Sequence, residues 1–302
     1  MSKAADEFRI LGRREGNEAP IRFEYRGVTF DPDCFHVVAG LNAVDTREYT
    51  ERTFKALAAA GQVCARMGAY KPRTSPYSFQ GYGKQCLPYV FELAGKHGIR
   101  VISMEVTRDE HVDEIRAALR LTGDATGVML QIGTRNTQNF ELLKTVGTQR
   151  EFPIMLKRGF GITLHESLLA AEYIAASGNR DIVFCLRGMK THFGDPHRNL
   201  VDFAHVPVVK RMTRMPVCID PSHSVGLRAS APDGLPDIYH AAAQGIVAGA
   251  NLVLTDVHPE PHKALVDAGQ ALTLEELPGF LEDCAMAREA YEKRRRRAAS
   301  GA

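Results

Sequence analysis

Eight short apolar runs separated by helix-like stretches, from about residue 35 to residue 290, constrain the fold more than anything else in this sequence. They are Phe35–Gly40, Val63–Tyr70, Arg100–Val106, Gly127–Gly133, Pro153–Gly159, Ile182–Gly188, Pro216–His223 and Asn251–His258. Most are nearly continuous in apolar residues, as parallel strands covered on both faces must be. The stretches between them carry helix starts: Asp45 with Glu48, Thr107 with Glu110 and Thr163 with Glu166 match the capping-box spacing. Eight strand–helix units in 302 residues predict an α/β fold. The expected architecture is a single-domain (β/α)8 TIM barrel, with a doubly wound sheet as the alternative.

The barrel is assigned to residues 35–290. Residues 1–34 make a short N-terminal extension, in which FEYRGVTFDPD reads as a hairpin over the barrel floor. This extension is too short to house a separate ligand-binding domain. Residues 291–302 form a basic tail, whose Lys293–Arg297 block caps a final helix and reads as a solvated, frayed terminus.

Composition narrows the partners. A formal charge of +2 gives no basic field, so nucleic acid is not expected and any anion must be held by locally placed Lys and Arg. Six cysteines are scattered without a CxxC pair, as in a reducing compartment. No N-terminal signal-like segment and no apolar run near ~18 residues is present, so a cytoplasmic protein without membrane contact is expected.

The polar residues cluster at the ends of the apolar runs: Asn42, Lys71 with Arg73, Glu105, Arg135, Lys157 with Arg158, Arg187, Asp220 with His223, and Asp256 with His258. In a parallel barrel these positions share the C-terminal rim, where active sites are built. Arg66, Lys71, Arg73, Arg135, Lys157 and Arg187 would then converge on one mouth. A single cation after a strand is usually a surface residue. Several strands ending this way predict a polyanion site, with charge for two phosphates and a carboxylate.

The string KPRTSPYSFQG (Lys71–Gly81) resembles the signature of 3-deoxy-D-arabino-heptulosonate 7-phosphate (DAHP) synthases, in the branch related to 3-deoxy-D-manno-octulosonate 8-phosphate (KDO8P) synthases. The likeness continues through LQIGTRNTQNFELLK, LKRG, LRG, RNLVDFAHVPVVK, DPSH and VHPEPHKALVDAGQ, and so covers about residues 35 to 275. It implies condensation of phosphoenolpyruvate with erythrose 4-phosphate, the first step of aromatic biosynthesis or a specialised-pathway copy of it. The alternatives are a different aldose, such as arabinose 5-phosphate, and a non-catalytic sugar-phosphate binder. It further implies a homodimer or homotetramer. Arg66, Lys71, Arg135, Lys157 and Arg187 match the residues that hold phosphoenolpyruvate, with Glu105 beside them, while Arg73 and Thr74 match the grip on the aldose.

The sequence departs from that pattern at the metal site. Metal-dependent members carry a Cys in the first loop, where this chain has Asn42 within AGLNAVD; the remaining ligand positions match His223, Asp267 and Asp256, the last a Glu in the family. Losing a thiolate and shortening a carboxylate both weaken a transition-metal site. The expectation is therefore an enzyme without a cofactor, the alternative being Mn, Fe, Co or Zn at His223, Asp256 and Asp267. Catalytic roles then fall to Lys71, to Asn42 on substrate or water, and to His223 with Asp267 around the attacking water. His258 and His262 are not assigned as ligands. The loop Arg187–Asn199 and the insertion Leu227–Leu235 also differ from an ordinary family member and face the expected mouth.

Overall fold

A computed structural model describes residues 7–301; the first six residues of the extension and Ala302 of the tail lie outside the described residues. Each apolar run contains one strand: β3 (His36–Leu41), β4 (Cys64–Met67), β5 (Val101–Val106), β6 (Gly127–Ile132), β7 (Ile154–Lys157), β8 (Ile182–Leu186), β9 (Val217–Ile219) and β10 (Leu252–Asp256). All pair in parallel and β10 closes on β3, which makes a (β/α)8 barrel and excludes the open doubly wound sheet.

Alternate residues of a strand point to opposite faces, and this period divides the interior into two layers. Val38, Cys64, Val101, Met129, Met155, Val183, Cys185, Cys218, Leu252 and Leu254 form one buried apolar cluster. Beyond this cluster, toward the C-terminal ends of the strands, stand Gly40, Arg66, Ser103, Gln131, Lys157, Arg187, Asp220 and Asp256. The barrel is thus dry at its floor and charged at its mouth.

The floor is sealed by the expected hairpin, β1 (Phe23–Tyr25) against β2 (Val28–Phe30). Phe23 stacks on Phe30 with ring centroids 5.0 Å apart, and both belong to the interior cluster. Phe30→Ala should cost about 3–5 kcal/mol of stability in urea unfolding, as a buried aromatic truncated to a cavity does. A loss below about 1 kcal/mol would show that the plug is dispensable.

Three local expectations are corrected. The last part of the run Pro216–His223 is not strand: Asp220 caps a helix, Pro221–Val225, whose first φ is fixed by proline. Of the three expected capping boxes, Thr163 with Glu166 alone forms in full; Thr46 rather than Asp45, and Asp109 rather than Thr107, cap the other two helices. The basic block is exposed but not frayed, because helix Leu277–Ala299 runs through it. There Arg294 donates to the Val247 carbonyl and Arg295 pairs with Asp33.

Candidate active site

One cavity opens at the C-terminal mouth. Its walls carry Arg66, Lys71, Arg73, Arg135, Lys157, Arg187 and Arg198 against only two carboxylates, Glu105 and Asp267, with Thr74, Gln131 and His223 among the other polar residues. Its enclosed volume is about 240 Å³, just under the ~300–1,000 Å³ of drug-sized ligand pockets, which suits small phosphorylated compounds. The structure therefore gathers every expected substrate residue in one place. Asn42 and Asp256 do not line the cavity; they stand behind it, buried.

The β4 loop presents Lys71 to Thr74 as an arch. The Lys71 N–H donates to the Gln80 carbonyl (2.9 Å) and the Gly83 N–H to the Ala69 carbonyl (2.9 Å), which closes its base. Arg135, after β6, donates to the Thr74 hydroxyl at 3.2 Å and so joins the two loops. Room for Glu105 comes from Gly133, where a Cβ would lie 1.8 Å from the Glu105 Oε1.

Arg187 is the least compensated cation. It is 2% exposed, and its Nε and NH1 have no hydrogen-bond partner. Its guanidinium lies 4.6 Å over the Phe160 ring, which also faces Arg135 at 5.3 Å. Burial drives its pKa down to about 10. Asp220 and Asp202 oppose that shift only in part; a buried cation without a hydrogen-bonded anion is costly, so this site suits a charge that arrives with a ligand.

Lys71 donates to the Asn42 Oδ1 at 2.7 Å and reaches Glu105 at 3.4 Å. Burial lowers its pKa, an effect that Glu105 opposes. Lys157 pairs with the fully buried Asp220 at 2.6 Å. The same carboxylate lies 2.9 Å from the His223 Nδ1, so Nδ1 carries the proton and Nε2 is the free acceptor, 3.7 Å from the Asp267 Oδ2. Burial brings the His223 pKa down to about 4 against the pull of Asp220, which leaves the ring neutral near pH 7.

The donors at the family's metal positions do not fit a metal as they stand. The Asn42 Oδ1 accepts from Arg66 (2.9 Å) and Lys71, and its Nδ2 donates to Asp267 (2.7 Å). Asp256 spends one oxygen on Arg66 and the other on Gln270 (2.6 Å). With Asn42 a neutral, weak ligand and both it and Asp256 engaged by cationic and amide N–H groups, no group of three or more His, Cys, Asp or Glu side chains placed to hold a metal is found among the described residues. Arg198 and Gln270 were given no role from sequence; Arg198 opens the RNL string, the only sign of it.

The chain matches the model of the "DAHP synthetase I family" over residues 20–292. It is 42% identical over 241 residues to the phospho-2-dehydro-3-deoxyheptonate aldolase of Thermotoga maritima, covering 80% of this chain and 66%, just under two thirds, of that protein. A 2-dehydro-3-deoxyphosphooctonate aldolase of Syntrophobacter fumaroxidans is 29% identical over 86% of this chain and 89% of its own length. Among solved structures, the T. maritima DAHP synthase superposes with a TM-score of 0.82 at 35% identity, over 93% of this chain and 77% of that one. A truncated form of the T. maritima enzyme superposes at 0.79 and 32% identity, over 94% and 97%. Fold, rim cations and these likenesses agree: the chain belongs to the DAHP synthetase I family.

Proposed function

We propose that this chain condenses phosphoenolpyruvate with erythrose 4-phosphate and water to give DAHP and inorganic phosphate, without a metal. The observation that carries this reading is Arg187, buried without a hydrogen-bonded anion in a cavity of seven cations and two carboxylates. Greater identity to the heptonate than to the octonate relative, together with Arg73 and Thr74 in KPRTS, supports the four-carbon aldose.

Arg66, Arg135, Lys157 and Arg187 take the phosphate and carboxylate of phosphoenolpyruvate, and Arg73 with Thr74 takes the aldose phosphate. Holding two mutually repelling anions in line is most of the catalysis. C3 of the enolpyruvate attacks the aldehyde carbon, and the Lys71 ammonium, lowered in pKa and 3.4 Å from Glu105, protonates the forming alkoxide. Water then adds at C2; the neutral His223 Nε2, with Asp267 beside it, takes its proton. Cleavage of the C2–O bond releases phosphate. The protein is read as a cytoplasmic homo-oligomer, on family likeness and on six free cysteines.

The test is EDTA-treated protein given phosphoenolpyruvate and a panel of aldoses, followed by loss of enolpyruvate absorbance and release of phosphate. Turnover with erythrose 4-phosphate, unchanged within twofold by added Mn, Co or Zn, is expected. Activity that appears only with a divalent metal overturns the metal-free reading. Silence across the panel, with phosphoenolpyruvate still bound, makes the protein a binder.

A further inference from the structure

Arg198 stands on the return of the β8 loop, far in sequence from the residues it meets. Its N–H donates to the Val225 carbonyl (2.7 Å), the Asn199 N–H to the Ser224 carbonyl (3.0 Å), and the Asn199 Nδ2 to the His223 carbonyl (2.7 Å). The loop is thereby laced along helix Pro221–Val225, which carries His223. Gly226 (φ +76°) ends that helix, and a Cβ there would lie 2.3 Å from the Arg198 Cβ, so the close passage needs glycine.

From this position the Arg198 NH1 donates to the Gln270 Oε1 at 3.0 Å and pairs with the Asp267 Oδ1 at 3.3 Å. Gln270 donates in turn to Asp256 at 2.6 Å, Asp256 holds Arg66, Arg66 donates to Asn42, and Asn42 donates back to Asp267. Asn42, Asp267, Arg198, Gln270, Asp256 and Arg66 form a closed ring of hydrogen bonds completed by the Arg198–Asp267 ion pair. It passes through both positions where the chain departs from the family's metal ligands. Its members hold one another from several sides, although the buried Arg66 Nε has no partner, and polar networks of this kind help to fix geometry.

We propose that Arg198 and Gln270 are positioning residues: by closing this ring they hold Asp267, with no bridging cation, in the place from which it and His223 act on the attacking water. The inference rests on the reaction assigned above. Because the ring also includes Arg66, and Arg198 itself lines the cavity, phosphoenolpyruvate binding is measured apart from turnover, and a positioning role requires the loss in kcat to exceed any loss in binding.

The test compares Arg198→Met, Gln270→Leu, the double variant and Arg198→Lys with the wild type in steady-state kinetics. Phosphoenolpyruvate binding is read separately by calorimetry. Each of the first two should lower kcat by about 10–100-fold with a clearly smaller change in the phosphoenolpyruvate Kd, and the double variant should be no worse than the poorer single one, as for residues acting as a unit. Arg198→Lys, which keeps a cation for Asp267, should recover part of kcat. If Gln270→Leu does not fold, the Met and Lys variants at position 198, with added guanidinium restoring the Met variant's kcat, carry the same comparison. Unchanged kcat overturns the inference, as does multiplication of the two effects or a loss confined to the aldose KM. A wild type that binds phosphoenolpyruvate but turns over no aldose overturns the assigned reaction, and the inference with it. An active wild type with indifferent variants overturns the inference alone.

Discussion

Arg187→Met is expected to abolish phosphoenolpyruvate binding and, at the same time, to raise the unfolding midpoint of the ligand-free protein. The two effects share one cause. Arg187 is 2% exposed with two guanidinium nitrogens unpartnered, so in the ligand-free fold its charge is met only partly, by Asp220 and Asp202 without hydrogen bonds to them. Replacing a buried ionic group by an apolar one of similar size is often neutral or stabilising, by about 1–4 kcal/mol. Bound phosphoenolpyruvate supplies the missing anion, and losing one partner of such a desolvated pair costs about 2–5 kcal/mol of affinity, or roughly 30- to 5,000-fold in Kd. Calorimetry and thermal unfolding read the two effects separately. An unchanged Kd would remove Arg187 from the substrate site, and a lowered midpoint would show that its charge is compensated in the fold.

Asp220→Asn should be the most damaging isosteric change at the mouth. Asp220 is fully buried and serves three groups: it caps the helix through the His223 N–H (3.0 Å), pairs with Lys157 and sets the His223 ring. Asparagine keeps the cap and loses the charge, which leaves Lys157 buried without its counterion. Stability should fall by about 3–5 kcal/mol, as when one partner of a buried pair is removed. The kcat should fall by at least ~100-fold, because Nδ1 is no longer held as the donor and Nε2 is no longer fixed as the acceptor. Although burial would raise it, the Asp220 carboxyl is held well below its ordinary value by His223, Lys157 and Arg66. A depressed carboxyl contributes stability above its unfolded pKa of about 4 and loses it only as pH falls toward the folded value. The gap between wild type and variant should therefore be full from about pH 5 to 8 and narrow only in stronger acid. A gap that closes near neutrality would contradict the assignment.

Much of this was legible from residues alone. Parallel strands buried on both faces write themselves as continuous apolar runs, so all eight could be placed, and the cations that end them fall on one rim by topology. What failed were decisions one or two residues wide. Thr46 and Asp109 took caps expected for Asp45 and Thr107 because neighbouring polar residues serve a helix start about equally well. His223 was drawn into a strand because Pro216–Ile219 supplies an apolar run up to the residue that caps the next helix. Arg198 and Gln270 stayed silent for a different reason: they sit on the loops after β8 and β10, 72 residues apart in the chain, and no local pattern encodes such a meeting. The basic block was misjudged because Glu292 with Arg288, and Glu289 with Lys293, stitch that helix on its own surface.

The condensation itself is tested most directly in ¹⁸O-labelled water. Metal-stripped protein is incubated with phosphoenolpyruvate and erythrose 4-phosphate, and both products are weighed by mass spectrometry. A seven-carbon ulosonate phosphate should form one-for-one with inorganic phosphate, and that phosphate should carry no label, because water adds at C2 and the C–O bond breaks. Label in the phosphate, or phosphate released without the seven-carbon product, would contradict the account.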